Sequence, residues 1–158
     1  IDTMQKYDMY SELADIYCGQ ARFLQALGQE AAADSAMNRS WDILMRYNML
    51  DRLDFHYMIQ AEIATARKAY AKAEAIYQKL IELANSIDNL QGIMRAHELR
   101  YQNFKKAGQY QAALEAFESY LAASRSIEKQ EVDRKLLEME NQRKLRKEKA
   151  EIEFERAS

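Results

Sequence analysis

Proline is absent from these 158 residues, and only four glycines and one cysteine occur. Without proline, no residue removes a backbone donor or breaks a helix from within. Four scattered glycines build no glycine-rich loop of the kind that cradles phosphates. The lone Cys18 excludes an intramolecular disulfide and leaves the redox compartment open. The apolar stretches are short and broken by charge, so no transmembrane helix lies within these residues. No signal peptide is visible, and a start at Ile1 is no argument against one. A formal net charge of −2 provides no basic field for nucleic acid.

What is present is helix-forming chemistry. Hydrophobic residues make up 48% of the chain, enough to bury a core, and Ala, Leu, Glu, Gln, Lys and Arg are abundant. No run alternates like a strand, so the chain reads as all-α. It also repeats. Ala33, Ala73 and Ala113 stand 40 residues apart, and Met37, Tyr77 and Phe117 follow them in step. So do Trp41, Ile81 and Leu121, and Tyr17, Tyr57 and His97. Self-similarity at a fixed period is the signature of stacked helical units. The repeat reaches the beginning of the chain, where Tyr7, Met9, Leu13 and Tyr17 lie over Tyr47, Met49, Leu53 and Tyr57. Ile1 and Met4 fall at the places of Trp41 and Leu44, so residues 1–6 are expected to end a truncated preceding helix, and the chain reads as a piece of a longer protein.

Three helix pairs are expected, roughly 10–27 with 29–47, 52–68 with 70–86, and 90–107 with 109–124, giving units of about 10–47, 52–86 and 90–124 within a repeat domain of residues 1–124. Gly28 and Gly108 fall between the helices of the first and third pairs, where a residue free to take positive φ closes a tight turn. The middle pair has Lys68 there, so its turn is expected to be made differently. In Gly108, Tyr110, Ala113 and Phe117 the small Ala lets two helices approach and the aromatic wedges beside it. Ala73 and Ala113 are therefore expected to be buried where paired helices cross. The first helices carry a complementary stripe at i, i+3, i+4, i+7: Tyr17, Gln20, Ala21, Leu24 and their counterparts.

These residues resemble the tetratricopeptide repeat, over roughly residues 7–124 and most closely in the third unit. The resemblance implies a right-handed solenoid of antiparallel helix pairs. The step of 40 exceeds the family's usual 34, and the proline expected after the second helix is replaced by Met45, Asn85 and Arg125. Longer second helices or turns are expected to absorb the difference. HEAT-like repeats have a similar period, but they commonly use proline and fit the Gly, Ala and aromatic spacing less well. In the tetratricopeptide family the exposed side of each first helix lines a concave, peptide-holding groove. Those places fall here on Cys18, Arg22 and Gln25, then Met58, Glu62 and Thr65, then Glu98, Gln102 and Lys105. The Lys, Asn and Arg set that clamps a chaperone's terminal carboxylate is missing, which disfavours chaperone docking.

From about Arg125 the character changes. Residues 125–158 hold 10 Lys or Arg and 9 Asp or Glu, with Phe154 as the one aromatic. This is a charged helix that cannot fold back and bury much. Val132, Leu136 and Met139 make a short 4-3 seam, and Leu145 and Ile152 a second one out of phase. Such a seam suits a two-stranded coiled coil with a stutter, and the competing reading is a solvated helix. Repeats followed by such a helix also resemble a bacterial signalling layout, in which they run into a sensor histidine kinase, a helix-turn-helix regulator or a diguanylate cyclase. That layout implies a homodimer through the C-terminal helix and a periplasmic part of a membrane-anchored sensor, with any membrane span lying after these residues. The alternative is a free-standing adaptor.

Catalytic chemistry finds little support. His56 and His97 lack companions at ligand spacing, and His97 lies on the packing stripe. No cation pattern beside Cys18 marks a lowered thiol pKa. Asp51 and Asp54 read as helix-start charges. Arg143 to Lys147 is basic, but Glu148, Glu151 and Glu153 follow at once, so a solvated face is the default. The sequence gives no enzyme, no cofactor and no metal site. It points to a non-catalytic segment that binds a protein or peptide.

Overall fold

A computed structural model describes residues 2–158. Six α-helices follow one another: α1 (Thr3–Ala26), α2 (Glu30–Arg46), α3 (Leu53–Ala66), α4 (Tyr70–Ser86), α5 (Leu90–Lys106) and α6 (Tyr110–Ala157), with a single 3-10 turn at Leu50–Arg52 leading into α3. No strand occurs among the described residues. α1 packs on α2, α3 on α4 and α5 on α6, and the pairs join through α1 with α3 and through α4 with α5. The protein is an all-α array of neighbouring helix pairs.

The 40-residue period divides evenly. From Glu30 to Lys106 each helical span is 17 residues, counting the 3-10 turn with α3, and each connection is three. The chain therefore reverses every 20 residues, at Gly28, Asn48, Lys68, Asp88 and Gly108, and all five have positive φ, between 51° and 75°. Each reversal carries the same two hydrogen bonds. At the first, Gly28 N–H donates to Gln25 C=O at 3.0 Å and Gln29 N–H to Leu24 C=O at 2.9 Å. This is the Schellman arrangement, which satisfies carbonyls that the helix end would leave open. Two expectations are corrected here. The extra length is shared by both helices and is not confined to second helices or turns. Lys68 makes its turn in the same way as the glycines, at φ 60°, because the two backbone bonds and packing on either side hold it there.

A third difference concerns the ends. Residues 1–6 were expected to close a separate helix; residue 1 lies outside the described residues, and Thr3 to Ala26 form one unbroken helix through Asp8. Asp8 stands one 20-residue step before Gly28, yet among the described residues nothing lies behind it for a reversed chain to pack on. Glu128 stands one step after Gly108, and there too the helix continues. α6 is 48 residues long, roughly 70 Å at 1.5 Å per residue.

The core forms between paired helices. Ala33, Ala73 and Ala113 are all buried, with Met37 and Tyr77 filling the space beside the first two. One cluster joins Ala61, Ala64, Ala73, Tyr77 and Leu80 to Ala96 and Leu99 of α5. Another joins Cys18, Ala21, Ala36 and Met37 to Ile59 and Ile63 of α3. Polar stitches accompany this packing. Arg67 donates to Gln25 Oε1 at 2.8 Å, Asp34 Oδ1 at 2.9 Å and the Glu30 carbonyl at 3.1 Å, tying the second unit to both helices of the first. Arg100 meets Glu74 at 2.6 Å across α4 and α5. Gly92 allows the close approach of α4 to α5, since a Cβ there would lie 2.8 Å from Asn89 Nδ2 and 3.2 Å from Ala84 Cβ.

Candidate binding groove

α5 packs on α6 and on α4 and barely touches α3, so a groove opens between α3 and α5. At one end lies a cleft of about 290 Å³ walled by Glu62 and Thr65 of α3 and by Arg95, Gln102 and Lys106 of α5. Arg95 and Leu99 continue into a second space of about 130 Å³, where Phe55, Met58, Leu80 and Ala96 form an apolar wall. Asp54, Leu80 and Gly92 carry it further into an apolar hollow of about 400 Å³ beside Leu50, Leu83 and Ile87. The result is an apolar floor with Asp51 and Asp54 toward one end, Glu62 and Lys106 at the other, and Arg95 between them.

A buried amide sets the polar end. Asn103 donates from Nδ2 to the Tyr70 carbonyl at 3.1 Å and accepts from Thr65 Oγ1 at 2.9 Å. It thus fixes α5 to the α3–α4 turn and orients Thr65. The equivalent residue one unit earlier is the buried Ile63. The sequence signal for this feature is an amide standing where the preceding unit has an apolar residue. Arg95 and Arg67 carry no signal of this kind, because single surface cations have no periodic signature.

The structure gathers some of the expected groove residues and disperses others. Met58, Glu62, Thr65 and Gln102 line the α3–α5 groove. Glu98 is taken up by Arg95, 2.6 Å away on the next turn. Gln25 is engaged by Arg67. Lys105 is exposed, with Nζ 5.7 Å from the Tyr101 ring centre, a cation–π contact outside the cleft. Arg22 is exposed on α1 and walls none of these spaces. Of Arg22, Glu62 and Gln102, expected on one strip, the last two wall the same cleft.

Cys18 is corrected most clearly, since it is buried and faces no groove. Its Sγ lies 3.1 Å from Ser40 Oγ and 3.8 Å from His56 Nδ1, and Ser40 Oγ lies 3.1 Å from the same nitrogen. A thiol, a hydroxyl and an imidazole in mutual reach have the outline of a nucleophile with its base. The electrostatics run the other way. Burial pushes the Cys18 thiol up, against the Ser40 hydrogen bond, and burial lowers His56 to about 4. A reactive pair needs thiolate and imidazolium, and desolvation disfavours both charges. The cluster satisfies its own polar atoms inside the core. His97 is half-buried, with Arg100 Nη1 3.2 Å from its Nδ1, and its pKa is lowered by burial and then by that cation.

On α6, Val132, Leu136 and Met139 are all exposed, as are Leu145 and Ile152. Ion pairs of Glu131 with Arg134 at 2.8 Å and with Lys135 at 3.6 Å run along the same helix. No helix among the described residues is long and apolar enough to cross a membrane. Comparison with protein-family models, with curated proteins and with solved structures gives no match.

Proposed function

We propose that this chain is a tetratricopeptide-like, non-catalytic binding segment of a bacterial signalling or regulatory protein. It holds a protein segment or peptide in the groove between α3 and α5, and α6 pairs with its counterpart in a second copy or relays to an output domain. The observation that carries this reading is the groove, where Met58, Glu62, Thr65 and Gln102 converge over the apolar floor of Phe55 and Leu99. The walls belong to helices already fixed by core packing, so the ordering cost of binding falls on the partner. An apolar floor rimmed by charges of both signs favours a segment with an apolar anchor flanked by charged and polar residues. The exposed seam of Val132, Leu136 and Met139 supports the pairing of α6.

The test is a displayed-peptide selection against the intact chain, repeated with Glu62→Ala combined with Gln102→Ala. Both sites lie on the rim, so melting should shift by about 0.5 kcal/mol or less, while capture of the selected peptides should fall at least tenfold. Equal capture by both chains would remove the groove from consideration.

A further inference from the structure

Asp15, Asp51 and Asp54 border the hollows around the start of α3, and the fold engages two of them. Asp15 pairs with Arg52, and Asp51 accepts the Tyr7 hydroxyl. Asp54 is exposed, and no cation among the described residues pairs with it. The two cations that share a hollow with it are committed elsewhere, Arg52 to Asp15 and Arg95 to Glu98 at 2.6 Å. Its place in the first turn of α3 lets the helix dipole support the bare charge. It also continues the groove stripe of α3, in helical step with Met58, Glu62 and Thr65. The surroundings are apolar. The groove's hollows of about 130 Å³ and 400 Å³ both count Asp54, Leu80 and Gly92 among their walls, so the carboxylate stands where the two meet. The larger one is rimmed by Leu50 and Ile87, which are 51% and 67% exposed.

Resting on the groove reading above, we propose that the bound peptide segment places a lysine or arginine on Asp54, next to a large apolar side chain seated in the hollow of Leu50, Leu83 and Ile87. The fold leaves an unpaired anion beside an unfilled apolar space, and a cation flanked by an apolar residue complements both. The long stem of either cation lies along apolar surface while its head meets the carboxylate. Apolar walls exclude water from the pair, so it counts for more there than on an open surface. An acidic residue at the same place would face Asp54 and Asp51 together, so the charge also selects against the wrong partner.

The experiment selects a random displayed-peptide library on the intact chain and titrates the selected peptides, made synthetically, against variants. The selected peptides should share a Lys or Arg beside a large apolar residue. Asp54→Asn should weaken them about fivefold or more, whereas Asp54→Glu and Asp51→Asn should bind like the parent. Asp54→Lys should prefer a peptide in which that Lys or Arg is replaced by Glu. Each substitution is at an exposed position and should leave helical content and cooperative melting intact. Peptides that lose affinity with Glu62→Ala and Gln102→Ala but ignore Asp54→Asn would overturn this proposal and leave the groove reading standing. Equal losses with Asp51→Asn would overturn it too, as diffuse attraction to acidic surface. Peptides indifferent to both sets of variants would remove the groove and the proposal together.

Discussion

Lys68 holds the backbone conformation of Gly28, forty residues before it: φ is 60° in one and 75° in the other, and each turn closes with the same pair of hydrogen bonds. A side chain in the left-handed region costs roughly 1–2 kcal/mol, and only glycine escapes this cost. Lys68 is exposed and its side chain contributes no contact that the turn requires. Lys68→Gly should therefore stabilise the chain by about 0.5–1 kcal/mol after allowing for the greater freedom of unfolded glycine. Thermal melting checks this, and Gly108→Ala should shift stability in the opposite direction.

Ala113 is buried between α5 and α6. Ala113→Leu should overpack that contact and cost about 1–3 kcal/mol. A melting temperature equal to the parent's would show that the helices do not approach closely there.

His56 gives the fold a pH dependence of known sign. Its folded pKa is about 4 against 6.5 unfolded, through burial. Above pH 6.5 neither state binds the proton and the fold has its full stability. As pH falls from 6.5 toward 4 the unfolded chain takes up the proton first, and stability declines by an amount on the order of 3 kcal/mol. His97 adds to this in the same direction. Denaturant unfolding between pH 6.5 and 5, above the range where carboxylates dominate, should show the slope, and His56→Gln should reduce it markedly.

The α6 seam predicts an association of its own. Sedimentation of the intact chain should find a concentration-dependent dimer, and Leu136→Lys should abolish it. A single monomeric species in the intact chain would leave α6 as a solvated helix held by pairs such as Arg134 with Glu131.

The paired helices were legible because alanines 33, 73 and 113 keep step with larger residues beside them, and such packing needs size and spacing alone. The even division into 20-residue steps was not legible, because Asn48, Lys68 and Asp88 do not advertise positive φ as Gly28 and Gly108 do. Backbone bonds and packing decide those turns. The unbroken passage of α1 through Asp8 was equally hidden, since Asp8 stands in the register of Asn48 and Asp88, which do turn. Of the groove, Met58, Glu62, Thr65 and Gln102 were legible from the repeat register. Gln25 and Glu98 were not excluded by it, because Arg67 and Arg95 engage them from elsewhere in the fold. Cys18 was misplaced because its burial depends on Ser40 and His56, which lie far away in sequence.

The central claim is that ligands lie between α3 and α5, and the most direct measurement is amide hydrogen exchange with and without a peptide selected against the intact chain. The account predicts added protection along residues 58–66 and 92–106, with α1 and the exposed part of α6 unchanged. Protection confined to α1 or to residues 128–157, with α3 and α5 unaltered, would contradict it.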